Sequence, residues 1–379
     1  MAIFNLDLDR SVFNDVSKDD IIEFNKTMSQ LTKRAESHIS RDVCFLCGQK
    51  KRFINSHSIP EQILHNISQN GCVDTMAALL KIPKLEESHG IQQSGTFRLL
   101  CQDCDNKTFS EYENFNNYPN EPSVTVLAEI ALKTYLKELN KKMLEIPKWQ
   151  DQDFRDTILP DGINEKTDSL TKNIIYESKI RSLNNLLKRA EQDEKLYRAD
   201  IQYAKKYLDT HGQSNGYFLH YYKQLNYVCP IAFQGRVTLF GGFDDEMVNC
   251  INDKEKYSDL HVCIFPMHDC TKIFLFTKNH DKTLRKFIKT FKKLDNDDQL
   301  RTICYIIFVY SEEVYMHPEL KNKLKDNASV IEAITSIGQT LHTDFSTNTE
   351  YTFALIRRNS LMKRYSFPNL LDEQYKINI

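Results

Sequence analysis

Two cysteine pairs constrain this chain more than any other feature: Cys44-Phe45-Leu46-Cys47 and Cys101-Gln102-Asp103-Cys104. Two residues between cysteines let both sulfurs of a tight turn face one ion. Two such turns supply the four thiolates of a closed tetrahedral zinc site. Gly48 follows the first pair, where a left-handed backbone helps the turn. Phe45 and Leu46 are apolar and suited to shielding an ion. The expectation is a structural zinc held by Cys44, Cys47, Cys101 and Cys104. The 53 residues between the pairs exceed what a compact finger needs, so an insertion is expected to loop out.

Composition sets the frame around that site. The chain has 379 residues, 41% hydrophobic and 27% charged, which fits two or three globular domains and excludes wholesale disorder. Lys and Arg number 50 against 52 Asp and Glu, a net charge of −2 that rules out a histone-like binder. Any nucleic acid must therefore meet a local basic patch. The N-terminus has acidic residues and no long apolar run, and no stretch approaches the ~20 apolar residues of a membrane span. A cytoplasmic protein with reduced thiols is expected, with no membrane contact. The remaining cysteines, Cys72, Cys229, Cys250, Cys263, Cys270 and Cys304, lack pairing and read as core thiols.

Periodicity divides the chain into four segments. Residues 1–40 carry a helical pattern from Ser17, with Ile21, Phe24, Met28, Leu31 and Ala35 at helical spacing. Residues 41–120 hold the cysteines, turn formers and short apolar runs. Residues 121–212 are helical, starting at Ser123, with a turn at Pro160-Asp161-Gly162 and further helix between Asp168 and Asp209. Residues 213–379 form an α+β domain. Its expected strands are Tyr217–Tyr222, Arg236–Phe240, Leu260–Phe265, Lys272–Thr277 and the continuous apolar run Ile303–Tyr310, with a helix at Lys282–Leu294.

Between the cysteine pairs lies Ser56-His57-Ser58-Ile59-Pro60, and after the second pair come Asp105, Asn106, Ser110, Glu111 and Glu113. Cys-Phe-Leu-Cys-Gly, then Ser-His-Ser-Ile-Pro, then Leu-Leu-Cys-Gln-Asp-Cys-Asp-Asn resembles the HNH, or His-Me finger, endonucleases. The closer likeness is to bacterial proteins with Ser-His-x-Ile-Pro, Leu-Cys-x-x-Cys-acidic and Ser-x-x-Glu, and it covers residues 41–115. The resemblance implies an α+β chain with a zinc-braced ββα, treble-clef-like module, a helical linker region and a small C-terminal α+β domain. It implies that His57 is a general base and that Asp105, Asn106 or Glu113 holds a catalytic magnesium or manganese. Ser56 stands where the family usually has a metal-binding Asp or His. The substrate class would be nucleic acid, DNA first, with an activating partner or homo-oligomer left open and a role in antiphage defence by analogy.

Other readings stand beside these. The His57 ring can instead bond a loop carbonyl, and Asp105 can be a helix-start carboxylate. The chain can also be a non-catalytic zinc module for nucleic-acid or protein interaction. Residues 41–115 contain 8 Lys and Arg against 9 Asp and Glu, so a nuclease surface needs cations from Lys50, Lys51, Arg52 and Arg98 and from farther away. Residues 271–301 hold 9 Lys and Arg against 4 Asp and Glu. There Lys282, Arg285, Lys286 and Lys289 lie on the polar side of an amphipathic helix. They are candidate phosphate contacts or simply a solvated face.

Overall fold

The computed structural model describes residues 43–76, 79, 89–118, 120–159, 168–208, 216–251, 253, 257–311, 313–338 and 347–377, with 26–27, 29–30 and 33–34 near the N-terminus. These last six are helical; Ser17, Ile21, Phe24, Met28, Leu31, Ala35 and the Pro160–Gly162 turn lie outside the described residues. In chain order the first elements are β1 (Ser56–His57), α1 (Glu61–Asn66), β2 (Cys72–Thr75), β3 (His89–Gly90), β4 (Thr96–Phe97) and α2 (Gln102–Thr108). Three longer segments follow: α3 (Val124–Gln150), α4 (Gln152–Ile158) and α5 (Ser169–Leu208). The C-terminal part contains β5 (Tyr217–Leu225), β6 (Ile231–Val237), β7 (Leu260–Pro266), β8 (Thr271–Lys278), α6 (Arg285–Phe291) and α7 (Asn296–Tyr310). It closes with β9 (Tyr315–Met316), α8 (Pro318–Leu324), α9 (Ala328–Gly338) and α10 (Asn348–Arg358). The chain is mixed helix and sheet, in keeping with the α+β expectation.

Two compact units emerge, and each is discontinuous in sequence. The first comprises residues 1–56, 97–106 and 135–202; the second comprises 57–96, 107–134 and 203–379. The expected zinc module at 41–120 is thus shared out, with its middle joining the C-terminal unit. The insertion does not loop out as expected. Its strand β2 pairs antiparallel with β9, Asp74 opposite Met316 and Thr75 opposite Tyr315. Strands β2 and β3 extend a seven-stranded antiparallel sheet of order β3-β2-β9-β6-β7-β8-β5. Short apolar runs such as Cys72-Val73 satisfy their backbone groups at a sheet edge more cheaply than in a free loop.

Each unit has buried apolar residues of its own. In the second, β7 and β8 are buried on both faces. They share a core with Phe233, Ile264, Leu275, Phe287, Ile303, Ile307 and Phe308, all at 1% exposure or less. In the first unit Phe154, Leu159 and Leu183 cluster, flanked by Trp149, Tyr176, Ile180 and Leu186, and Leu100, Tyr135, Leu136, Leu139 and Ile201 are buried as well.

Several expected elements are corrected. Ile303–Tyr310 is not a strand but the last half of helix α7. Asp295 caps that helix by accepting from the Asp298 N–H at 2.9 Å, and Asp297 and Asp298 favour its positive end. A buried helix and a buried strand show the same apolar run, and the upstream cap decides between them. The strand expected at Arg236–Phe240 is β6, displaced upstream to Ile231–Val237. The helix at Lys282–Leu294 is shorter, Arg285–Phe291. Within the expected helical region, Pro147 lies inside α3 and Asp151 caps α4 by accepting from the Phe154 N–H at 2.9 Å. The helix from Ser123 forms as expected, and Ser123 Oγ accepts from the Val126 N–H at 3.2 Å.

Candidate metal centre and the His57 strand

The first cysteine turn is a small antiparallel hairpin. Val43 bridges Lys50, the Cys44 N–H donates to the Gln49 carbonyl at 2.9 Å, and the Gly48 N–H donates to the Cys44 carbonyl at 2.8 Å. Gly48 has φ of +66°, a conformation that a side chain would strain. Phe53 bridges Cys101, and the Ile54 N–H donates to the Leu100 carbonyl at 3.0 Å, which brings the second pair alongside. Cys101 then leads directly into α2, which carries Cys104 and Asp105.

All four sulfurs lie within 4.8 Å of one another. Among the described residues this is the one cluster of three or more metal-ligating side chains so gathered. The donor set is soft and closed, with Cys44 and Cys101 buried, which suits a structural zinc at about 2.3 Å per sulfur. Electrostatics points the same way. Burial pushes the Cys44 thiol up, but the backbone N–H groups of Cys47, Cys101 and Leu46 and a bond with Cys101 outweigh it and bring its pKa down to about 7. Burial and the other three sulfurs hold Cys104 far above the usual thiol range. Four sulfurs this close repel as thiolates unless a cation neutralises them. Around the site, Lys51 pairs with Asp103 at 2.8 Å and the Arg198 guanidinium lies 5.5 Å from the Phe45 ring centre.

His57 stands on β1 and is half-buried. Its Nε2 lies 3.1 Å from the Ile91 carbonyl oxygen. The next residue is pinned on both sides of its backbone: the Ser58 N–H donates to Gly95, and the Ser58 carbonyl accepts from Tyr112 Oη at 3.1 Å. Gly95 has φ of +66°, and a Cβ there would sit 2.8 Å from Tyr315 Oη and 3.0 Å from Ser58 Oγ. Only glycine fits, so the segment that carries His57 is held in a fixed place. Tyr112 Oη also lies 2.5 Å from Gln234 Oε1.

The carboxylates singled out in the sequence have partners. Ser56 Oγ donates to Asp105 Oδ1 at 2.5 Å, and both residues are buried. Ser56 is therefore a hydrogen-bond donor to the Asp105 carboxylate. Glu113 pairs at 2.5 Å with Lys133, whose side chain is fully buried over the Phe109 ring. Asn106 is exposed on α2. Reasoning from sequence missed Lys133 and Glu129, two charged residues on the buried side of α3. Glu129 accepts from the Tyr112 N–H at 2.7 Å, and burial raises its pKa to about 7. Their signal is a charge at helical spacing among Val126, Ile130 and Ala131, on the side expected to be apolar.

No protein-family model matches the chain, and no curated protein or solved structure matches it. The site must speak through its own chemistry.

Lys50, Lys51, Arg52 and Arg98 are exposed. Lys282, Arg285 and Lys289 are exposed as well, while Lys286 is engaged by Asp244 at 3.0 Å and Glu246 at 3.3 Å. Of the six cysteines outside the quartet, Cys229, Cys263, Cys270 and Cys304 are buried, in keeping with core thiols, whereas Cys72 and Cys250 are partly exposed. Among the described residues no helix is long and apolar enough to cross a membrane.

Proposed function

We propose that the chain is a metal-dependent nuclease of HNH-like type that hydrolyses phosphodiester bonds. The observation that carries this reading is the tautomer of His57. A carbonyl oxygen only accepts, so the 3.1 Å contact with Ile91 puts the proton on Nε2. In the neutral ring Nδ1 then holds the lone pair, which makes it the atom to take a proton from water. The hydroxide so formed attacks phosphorus and the ester oxygen leaves. A carbonyl that orients a histidine in this way does what an orienting carboxylate does in a hydrolytic triad. The order of elements supports the same reading: strand β1 with His57, its partner β4, then helix α2 opened by the second cysteine pair.

In this proposal the four cysteines hold zinc as a brace, and Asp105, oriented by Ser56, supplies a carboxylate for a magnesium or manganese ion. Asn106 and Glu113 are further oxygen donors in the same stretch. A hard divalent ion supplies charge stabilisation at the phosphate and the leaving oxygen, and oxygen ligands keep it distinct from the thiolate-bound zinc. Lys50, Lys51, Arg52 and Arg98 are the nearby cations in sequence for a nucleic-acid backbone, with Lys282, Arg285, Lys286 and Lys289 as further phosphate contacts.

A second reading has its own observation. Glu113 is neutralised by Lys133, and Asp105 already accepts from Ser56, as expected if these groups only hold the fold. The chain would then be a zinc-braced module that binds without cutting.

Plasmid and single-stranded DNA and RNA incubated with the full chain and magnesium or manganese separate the two. The nuclease reading expects metal-dependent cutting that falls by about 100-fold or more in His57→Ala. Cutting that survives in His57→Ala removes the base. Retention of nucleic acid in a gel shift without any cutting, whatever the divalent ion, establishes the binding module instead.

A further inference from the structure

A cavity of about 530 Å3 opens on the second unit, lined by residues of β5, β8, the turn after β8 and α6. Its size is that of a site for a small organic ligand. Three cations of one segment line it, Arg285, Lys289 and Lys292, against one carboxylate, Asp281, while the Lys278 ammonium lies 5.3 Å from the Tyr203 ring centre. Arg285, Lys289 and Lys292 recur at helical spacing, so one face of the segment presents all three, while Phe287 and Phe291 are buried on the other. The Asp281 carboxylate is engaged locally, accepting from Ser258 Oγ and the Thr283 N–H at 2.9 Å each. Like charges gathered on a concave surface repel one another, and an anion that enters relieves this.

The same cavity has an aromatic wall. Phe218 is 52% exposed although it is a large apolar residue on a strand, and its ring centre lies 5.0 Å from that of His220. The β5–β8 pairing slips between Leu219 and Tyr221, leaving His220 as the extra residue of a bulge. Bulges re-aim side chains and are frequent beside binding sites. His220 is anchored there by Thr277 Oγ1 at 2.9 Å. Thr277 Oγ1 spends its own proton on the Lys278 carbonyl at 3.0 Å, so it accepts from His220 Nε2–H. Burial, with Lys292 adding to it, lowers the His220 pKa to about 4, so the ring is neutral at ordinary pH. Apolar side chains of Leu284 and Ile288 complete the lining.

We infer that this cavity is a nucleotide-binding site, with phosphate oxygens held by Arg285, Lys289 and Lys292 and a base stacked on Phe218. Cations alone fit any polyanion; the exposed ring beside them selects an anion that carries a flat aromatic group. The nucleotide is either free or one unit of a single strand, and both present the same phosphate and base. Arg285 and Lys289 are phosphate contacts of the nuclease reading as well, but the cavity does not depend on cleavage, because no residue of the His57 strand or of the cysteine site takes part.

Titration calorimetry on the full chain tests it with four probes: ATP, a short oligothymidylate, an abasic oligonucleotide of the same length and inorganic tripolyphosphate. Binding of ATP or of the oligothymidylate is expected, weakened by about ten-fold or more in Lys289→Gln, which removes a charged hydrogen-bond donor. Phe218→Ala is expected to weaken the base-bearing probes by about five-fold or more and to leave tripolyphosphate unchanged. ATP tighter than oligothymidylate assigns the free nucleotide, and the reverse assigns the strand. The inference is overturned if neither base-bearing probe binds at about 1 mM. It is also overturned if Lys289→Gln binds like the wild type, or if Phe218→Ala affects all probes alike. Thermal melts of both exposed-site variants, expected to match the wild type, verify folding. His57→Ala, which tests cleavage, is expected to bind these probes unchanged.

Discussion

The two units differ in what accompanies their buried apolar residues. The second buries a continuous apolar core between a seven-stranded sheet and its helices, where Ile264, Leu275, Phe287 and Ile307 have at most 1% exposure. The first buries Leu100, Tyr135, Leu136, Leu139 and Ile201 and also gathers four cysteines within 4.8 Å. A metal held by those sulfurs would tie residues 43–56 to residues 97–106, a staple the sheet does not use. The contrast teaches where each unit can be broken: one by removing an ion, the other by removing methyl groups.

The largest effect should come from the ion. Structural zinc sites contribute on the order of 10 kcal/mol to the folding of the segments they tie together. Cys44→Ser or Cys101→Ser should reduce bound zinc from about one per chain to a small fraction. Proteolysis should then open residues 43–56 and 97–106 while the sheet keeps its hydrogen-exchange protection. Metal analysis with exchange mass spectrometry reads both, and equal loss of protection in the two units would erase the contrast. Next in size is Leu275→Ala in strand β8, between β7 and β5, expected to destabilise the second unit by roughly 2–5 kcal/mol. Zinc content should remain unchanged, as measured by denaturant unfolding and metal analysis.

The smallest effect is a pH dependence confined to the sheet. His261 is 1% exposed and stacked on Phe276 with ring centres 4.5 Å apart. Burial dominates its surroundings and lowers its pKa from 6.5 to about 3, with Lys278 and Arg236 adding to burial and Asp259 opposing it. The folded state keeps the ring neutral where the unfolded chain would protonate it. Its stabilising share is therefore complete above pH 6.5 and fades as pH falls from there toward 3. His261→Gln should flatten the decline of the melting temperature over that interval. An unchanged slope in the variant would assign acid sensitivity elsewhere.

What the sequence made legible follows its local rules. The cysteine spacing, the Gly48 turn and the start of α3 at Ser123 are properties of a few adjacent residues, and the structure bears them out. The strands β5, β7 and β8 were also visible as aromatic and β-branched runs. The helix α7 was not, because a run buried on all sides has no period to read, and its only sign was Asp295 upstream. The partners of the site were less accessible still. Ser56 bonding Asp105, Glu113 pairing with Lys133 and His57 meeting Ile91 join residues 20 to 49 positions apart. No local pattern announces them. The basic segment near residue 285 was legible as charge, but the cavity it lines depends on a bulge in β5 that only pairing reveals.

The interleaving of the two units has a consequence for synthesis. A ribosome releases Cys44 and Cys47 well before Cys101 and Cys104, so at about 5–20 residues per second the first pair waits several seconds as an incomplete ligand set. Strand β2 waits longer, because its partner Met316 lies far downstream in the sequence. The nascent protein therefore carries two exposed thiols until the second pair emerges, and an open sheet edge until β9 emerges to seat between β2 and β6.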